Sequence, residues 1–410
     1  MSKTILLIGA FDTKGIDYDF VRSEISKRGH EVVTINTGVL GTTDLFKVDV
    51  EAEEVANAGG RSLSDLRENQ DRGEAMKIMT AGAGIVALKL FTEGRFDGAL
   101  GMGGSGGSTV VTAALRILPL GVPKICVSTV ASGDTSAYVG LKDVTLIPSV
   151  VDVAGLNRLS RIIYTRAAGA ICGMVESEPD TSGLQDKPVI AASMFGNTTE
   201  CVESCVDSLS TYGYEVLVFH ATGTGGMTME SLVTDGFVDA VLDITTTEWA
   251  DTICGGCFDA GKDRLSAPGR RGIPHLIVPG CVDMANFNGI DTVPQHYRDS
   301  GRNLYEWNPS VTLLRTNVEE NERMGSVFAE KANQAEGPVA FLLPLQGVSI
   351  LDGDGQPFCD READAAIFNA IKTGVKKDVP VYEIDANIND LEFSNRAVEL
   401  MIDLIAQKSR

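Results

Sequence analysis

TILLIGAFDTKGIDYDFVRSEISKRGHEVVTINT, residues 4–37, and PVIAASMFGNTTECVESCVDSLSTYGYEVLVFHA, residues 188–221, lie one above the other without a gap. Phe11 faces Phe195, Gly29 faces Gly213, and Glu31-Val32 faces Glu215-Val216. Each copy reads as an apolar strand, a polar turn, an amphipathic helix, a glycine and a second strand. The order of motifs then continues. GRFDGAL at 94–100 matches GFVDAVL at 236–242, and Gly121-Val122-Pro123 matches Gly272-Ile273-Pro274. Each of those tripeptides introduces an apolar strand, Lys124 to Val127 and His275 to Val278. Strands alternating with helices predict parallel sheets covered on both faces. The fold class is therefore α/β: two doubly wound, Rossmann-like domains related by an internal duplication.

The spacing between the copies shrinks after Gly38, so the first carries an inserted segment around 39–93. The expected boundaries are 1–175 for the first domain, a polar linker at 176–187 (ESEPDTSGLQDK) and 188–410 for the second. Asp152 to Met174 reads as a helix bridging the halves. Further strands are expected at Val339–Leu343 and Val379–Ile384. Thr316 to Glu319 is expected to form a capping box, and a last helix to start near Ser394.

The chain has 410 residues, too many for one core, and its 43% hydrophobic content fills two. A net charge of -21 repels phosphate backbones, which argues against nucleic-acid and anionic-membrane partners. No uncharged apolar run approaches about 18 residues, and the N-terminal run is too short for a signal peptide. Eight cysteines in so long a chain fit a reduced, cytoplasmic protein.

Ligands in doubly wound sheets bind at the carboxyl ends of the strands. There the strongest motif is LGMGGSGGSTVV, residues 100–111, following one strand and opening a helix. Gly103, Gly104, Gly106 and Gly107 let backbone N–H groups converge on an anion, and Ser105, Ser108 and Thr109 add hydroxyls. No Gly-Lys-Ser/Thr follows, so it is not a Walker loop. In GAFDTKG, Lys14 is placed to neutralise phosphate and Asp12 to hold Mg²⁺, directly or through water. Thr129 closes the next strand beside the same cleft. Lys47, Arg61, Arg67 and Arg72 of the insertion are placed to cover the site or meet a partner subunit. In the second half His220 and Glu248, both at strand ends, are the candidates for proton transfer. Gly223 to Gly226 forms a second glycine loop, and Arg270-Arg271 could clamp an anion. Cys254 and Cys257 lack a partner pair for zinc. Cys201 and Cys205 sit one helical turn apart, as packing residues.

GAFDTKG, GMGGSGGS, HATGTGG, DITTTE, VPGCVDM, RTNVEEN and LPLQGVSILD resemble, along nearly the whole chain, the family of the N-terminal domain of the tomato mosaic virus resistance protein. The resemblance implies two Rossmann-like subdomains, ATP with Mg²⁺ in the first, and homo-oligomerisation. It carries the nucleotide onto Gly103 to Thr109 and onto Asp12, Lys14 and Thr129. The expected function is an ATP-binding enzyme acting on a small metabolite. The alternatives are an ATP-stabilised oligomeric module without turnover, and acyl-compound hydrolase or lyase chemistry in the second domain.

Overall fold

The structure, a computed structural model, describes residues 2–177 and 187–408. Most of the expected linker lies outside the described residues. The chain divides into two compact units, 1–183 and 184–410.

The first unit is one parallel sheet of β1 (Thr4–Gly9), β2 (Glu31–Asn36), β3 (Gly98–Gly103), β4 (Lys124–Ser128) and β5 (Thr145–Pro148), ordered β2-β1-β3-β4-β5. The second begins with β6 (Val189–Met194), β7 (Glu215–His220), β8 (Ala240–Thr245) and β9 (His275–Gly280). An antiparallel sheet of β10 (Met284–Phe287), β11 (Leu304–Asn308) and β12 (Val311–Arg315) follows, and then β13 (Val339–Pro344) and β14 (Val381–Ile384). Its parallel sheet is ordered β14-β13-β9-β8-β6-β7. Both parallel sheets thus place their first strand between the second and third. Their central strands are buried on both faces, which is why they read as unbroken apolar runs.

The repeat is real, but not gapless. The Thr4 N–H donates to Asp97 Oδ2 at 2.7 Å, and the Val189 N–H donates to Asp239 Oδ2 at 2.8 Å. Ile5 pairs with Gly98, and Ile190 with Ala240. Thr4 therefore corresponds to Val189, not Pro188, and the missing residue falls between strand and helix end. A strand covered on both faces has no solvent side to fix its register in the sequence.

Four further expectations shift. The helix Arg158–Glu176 does not bridge the halves. Its Tyr164, Ala167, Ala168 and Ile171 pack with Ile5, Leu7 and Val21 in the first unit's core. The capping box is one residue later, between Asn317 and Glu320. The last helix is Leu391–Lys408. The antiparallel sheet between β9 and β13 was not expected. Cys201 and Cys205 are buried on the helix Thr199–Thr211, as read.

The insertion folds as three helices, Ala52–Ala58, Leu63–Asn69 and Arg72–Thr92. The third is long and apolar enough to cross a membrane by length and composition. Here Met79, Ala83, Val86, Ala87 and Leu90 pack into the first unit's core, and Lys77 and Lys89 interrupt the run.

Tyr18 wedges β1 from β3. Its hydroxyl donates to the Ile8 carbonyl at 2.6 Å and accepts the Met102 N–H at 2.6 Å. A side chain at Gly9 would overlap this ring. Burial holds the phenol well above its usual pKa, so it stays neutral. Tyr18→Phe removes the partner of two buried backbone groups. Urea unfolding should register a loss of about 1–3 kcal/mol.

Candidate functional site

At that wedge the connections from β1 and β3 leave on opposite sides, opening a crevice at the carboxyl edge of the sheet. The helix Ser105–Ile117 starts there with Gly104 as its N-cap. Its first backbone bond runs from Ser108 N–H to the Gly104 carbonyl, 2.8 Å, so the N–H groups of Ser105, Gly106 and Gly107 are those a helix start leaves over.

The glycines of this loop fall into two sets. A Cβ at Gly101 would overlap Val111, and one at Gly103 would lie 2.7 Å from Gly107 Cα. Packing requires those two. A Cβ at Gly104, Gly106 or Gly107 would meet nothing closer than 3.6 Å, and none of the three has positive φ. Neither packing nor backbone conformation requires glycine there. What it provides is an uncovered N–H face.

The hydroxyls around the loop divide similarly. Ser108 is buried, its Oγ 2.6 Å from Ser128 Oγ and 3.2 Å from the Gly103 carbonyl, so it ties loop to β4 and is not turned to a ligand. Thr109 Oγ1 donates to the Ser105 carbonyl at 2.9 Å. Ser105 is exposed at the helix start. The Thr129 N–H donates to the Gly103 carbonyl at 3.2 Å, and its Oγ1 lies 3.8 Å from the place of a Gly104 Cβ.

The strand-one turn is set by Asn36, which sequence reasoning missed. Its Oδ1 accepts the N–H groups of Phe11 (3.1 Å) and Gly38 (2.9 Å), and its Nδ2 donates to the Gly41 carbonyl (2.9 Å). Asp12 lies against Gly38, where a side chain would overlap it. Asp12 Oδ2 accepts the Leu40 N–H at 2.9 Å, and Oδ1 is buried without a partner. Lys14 does not reach for a phosphate. Its ammonium donates to the Val153 carbonyl beyond β5.

A cation comes instead from the insertion. An Arg72 guanidinium nitrogen lies 3.9 Å, and Met76 Cε 3.6 Å, from the place of a Gly106 Cβ. Arg72, Arg67, Leu40, Leu66, Met76, Met79 and Val110 help line a cavity of about 540 Å³ beside the loop. Leu40 is 80% exposed at its rim, its backbone held by Asp12. The site thus combines an N–H face, an arginine and an apolar cavity. Lys47 and Arg61, also of the insertion, do not line it.

The second unit closes the corresponding place. Thr245-Thr246-Thr247-Glu248 follows β8 as the glycine loop follows β3, and all four are buried. Glu248 Oε1 accepts the N–H groups of Gly223 (2.9 Å) and Gly226 (3.0 Å), so the second glycine loop is bound by the protein's own carboxylate. Arg264, 1% exposed, donates to Glu248 at 2.6 Å and to both oxygens of Asp243 at 2.6 and 2.5 Å. Burial pushes the Glu248 carboxyl up, and Arg264 offsets part of that. Glu248 is fastened on three bonds. His220 is exposed at the end of edge strand β7, its ring 5.5 Å from that of Phe195. No bond joins the two among the described residues.

Arg270 pairs with Asp263 at 3.2 Å on the surface. Among the described residues no group of three or more His, Cys, Asp or Glu could hold a metal, and Cys254 and Cys257 are free thiols. Asp352 belongs to a turn, as its glycines suggest, but is buried against Arg315 at 3.1 Å, and Arg315 also binds Asp364 at 2.7 Å.

Fold and site define an α/β protein of two units, each built on a parallel sheet, with a glycine-loop crevice in the first. Residues 3–180 match the N-terminal domain, and residues 187–405 the C-terminal domain, of the uncharacterised protein family UPF0261. The chain belongs to that family. A UPF0261 protein of Clostridium tetani is 45% identical over 99% of this chain and 100% of its own length. The ToMV resistance protein of Solanum lycopersicum is 37% identical over 100% of this chain, which spans 56% of that protein. The family resemblance read in the sequence is thereby borne out. A UDP-N-acetylglucosamine 2-epimerase of Rickettsia bellii aligns over 67% of this chain and 78% of its own at 14% identity, with a TM-score of 0.24, too low to carry an argument.

Proposed function

We propose that the first unit binds ATP with Mg²⁺, as the co-substrate of an enzyme acting on a small metabolite. The observation that carries this reading is the second set of glycines: Gly104, Gly106 and Gly107 bare a helix N-terminus that nothing in the fold needs bare. The phosphates would lie on that face with Arg72 opposite, and the base in the apolar cavity of Leu66, Met76, Met79 and Val110. Mg²⁺ takes one or two carboxylates and completes its shell with phosphate and water. The unpartnered Asp12 Oδ1 fits that single-ligand role. Bound Mg²⁺ would supply charge neutralisation of the phosphates.

Thermal unfolding with and without saturating Mg-ATP tests the reading, since a ligand of the folded state raises the midpoint. The wild type should shift. Arg72→Ala, an exposed residue, should fold normally and bind about tenfold more weakly, the worth of one charge-assisted bond. An unshifted wild type, freed of any nucleotide retained in purification, would falsify the assignment.

A further inference from the structure

The glycine loop has a second neighbour. On the side away from Arg72, Thr129, Ser132, Ser149, Val150, Val151 and Asp152 line a cavity of about 340 Å³ at the carboxyl ends of β4 and β5. Thr129 belongs to both places: its N–H is bonded to Gly103, and its hydroxyl stands beside Gly104. The loop therefore lies between two cavities of opposite character. One is mostly apolar, with Arg67 and Arg72 beside Asp71; the other is lined by hydroxyls, one carboxylate and two valines, with no lysine or arginine.

Among the described residues the side-chain oxygens of Thr129, Ser132 and Asp152 have no hydrogen-bond partner, whereas that of Ser149 is taken by the Val151 carbonyl at 2.6 Å. Val150 stands out for a different reason. It has φ 64°, a region costly for a β-branched residue, and is 74% exposed. The segment that imposes this is braced. The Ser149 N–H donates to the Ser128 carbonyl at 3.0 Å, Lys14 to the Val153 carbonyl, and the Gly155 N–H to Asp17 at 3.0 Å. A fixed loop thus holds an apolar side chain in solvent beside the exposed side-chain oxygens of Thr129, Ser132 and Asp152. This also accounts for Lys14, which sequence reasoning aimed at phosphate: it anchors the cavity wall.

We propose that this cavity is the acceptor subsite, and that it takes an uncharged polyhydroxylated small molecule. The inference rests on the nucleotide reading above. Hydroxyl groups supply the donors that Asp152 and the Ser132 and Thr129 oxygens accept, and a sugar-like carbon skeleton suits the two valines. An anion would meet Asp152 with no cation in the lining. The reaction is phosphoryl transfer from the nucleoside triphosphate. The acceptor hydroxyl oxygen bonds to the γ-phosphorus as the bond from that phosphorus to the β,γ-bridging oxygen breaks. The nucleoside diphosphate leaves with the electron pair, and the hydroxyl proton passes to the Asp152 carboxylate.

The test uses ATP labelled in its γ-phosphate, Mg²⁺ and a protein-free metabolite extract, with the full chain. The wild type should move label into a non-nucleotide phosphate ester. Asp152→Asn and Ser132→Phe, both on an exposed loop, should form that product at least tenfold more slowly while keeping the wild-type thermal shift with Mg-ATP. Ser132→Phe fills the cavity and leaves the carboxylate in place, so it separates occupancy from proton acceptance. A wild type that shifts with Mg-ATP and forms no labelled ester overturns the acceptor subsite alone. Product formed equally by the variants overturns its location. A wild type with no shift overturns the nucleotide reading instead.

Discussion

Gly106→Val is expected to leave the protein folded and to weaken Mg-ATP binding by on the order of 100-fold or more. Nothing in the fold opposes a Cβ there. The nearest atoms to its Cβ are Met76 Cε at 3.6 Å and the Arg72 guanidinium at 3.9 Å, both far ends of flexible side chains. Replacing glycine with alanine in a helix interior stabilises by about 0.5–1 kcal/mol, and the same direction with a smaller size is expected in this first turn. The added carbons would stand between Arg72 and the loop, where the phosphates are placed. Losing two charge-assisted hydrogen bonds costs about 3 kcal/mol or more, which sets the fold-change. Gly106→Ala should show a smaller loss, about tenfold, with an unfolding midpoint at or above that of the wild type. Calorimetric titration and unaided thermal unfolding, run on the same samples, read both quantities. Retained affinity in a folded Gly106→Val would place the ligand elsewhere.

Arg264→Met should destabilise the second unit by about 3–5 kcal/mol, because it strands the buried carboxylates of Asp243 and Glu248. Its pH dependence is the more telling measurement. Burial pushes the Asp243 carboxyl up, but Arg264 and His275 outweigh it and hold it below the usual carboxylate range. A depressed folded pKa contributes stability above the unfolded value, roughly 4, and loses it as pH falls through the folded one. Without Arg264 only His275 and the Ser193 hydroxyl oppose the burial of Asp243, the burial prevails and the sign reverses. Relative to the wild type, the variant should gain stability as pH drops from about 8 toward 5, on top of the rise that the buried carboxyls of Asp251, Asp283 and Asp352, pushed up by burial, give both proteins. Chemical denaturation at several pH values checks this. A variant within about 1 kcal/mol of wild type at neutral pH would mean that the network contributes little.

The parallel strands were legible because strands covered on both faces leave unbroken apolar runs, and the glycine loop because five glycines cluster at the end of one of them, at 101, 103, 104, 106 and 107. The same coverage hid the one-residue slip between β1 and β6, since neither face of the run is polar. Ser108 was read as a ligand group because its partner, Ser128, is twenty residues away and only the sheet brings them together. Glu248 was read as a proton carrier for the same reason: Arg264 and the Gly223–Gly226 amides that fasten it are named by no local pattern. Arg72 was noticed as one of four insertion cations, but spacing could not tell it from Lys47 or Arg61. Asn36 was missed because a strand-end asparagine is unremarkable until its bonds to Phe11, Gly38, Gly41 and the Glu51 carboxylate are counted. The antiparallel sheet was missed because β10 is short and β11 is mostly exposed and polar at its end.

One consequence follows from Glu248. An anion that belongs to the chain has an effective concentration that no cell can change, so the second unit carries its own occupant at all times. Among the described residues the first unit places no carboxylate of its own on its glycine face. If the nucleotide reading holds, its share of the stability grows with the logarithm of the free nucleotide concentration, and the other unit's does not. A duplication that began with two equal sheets would then have ended with a constant half and a variable half, and the energy state of the cell would be written into only one of them.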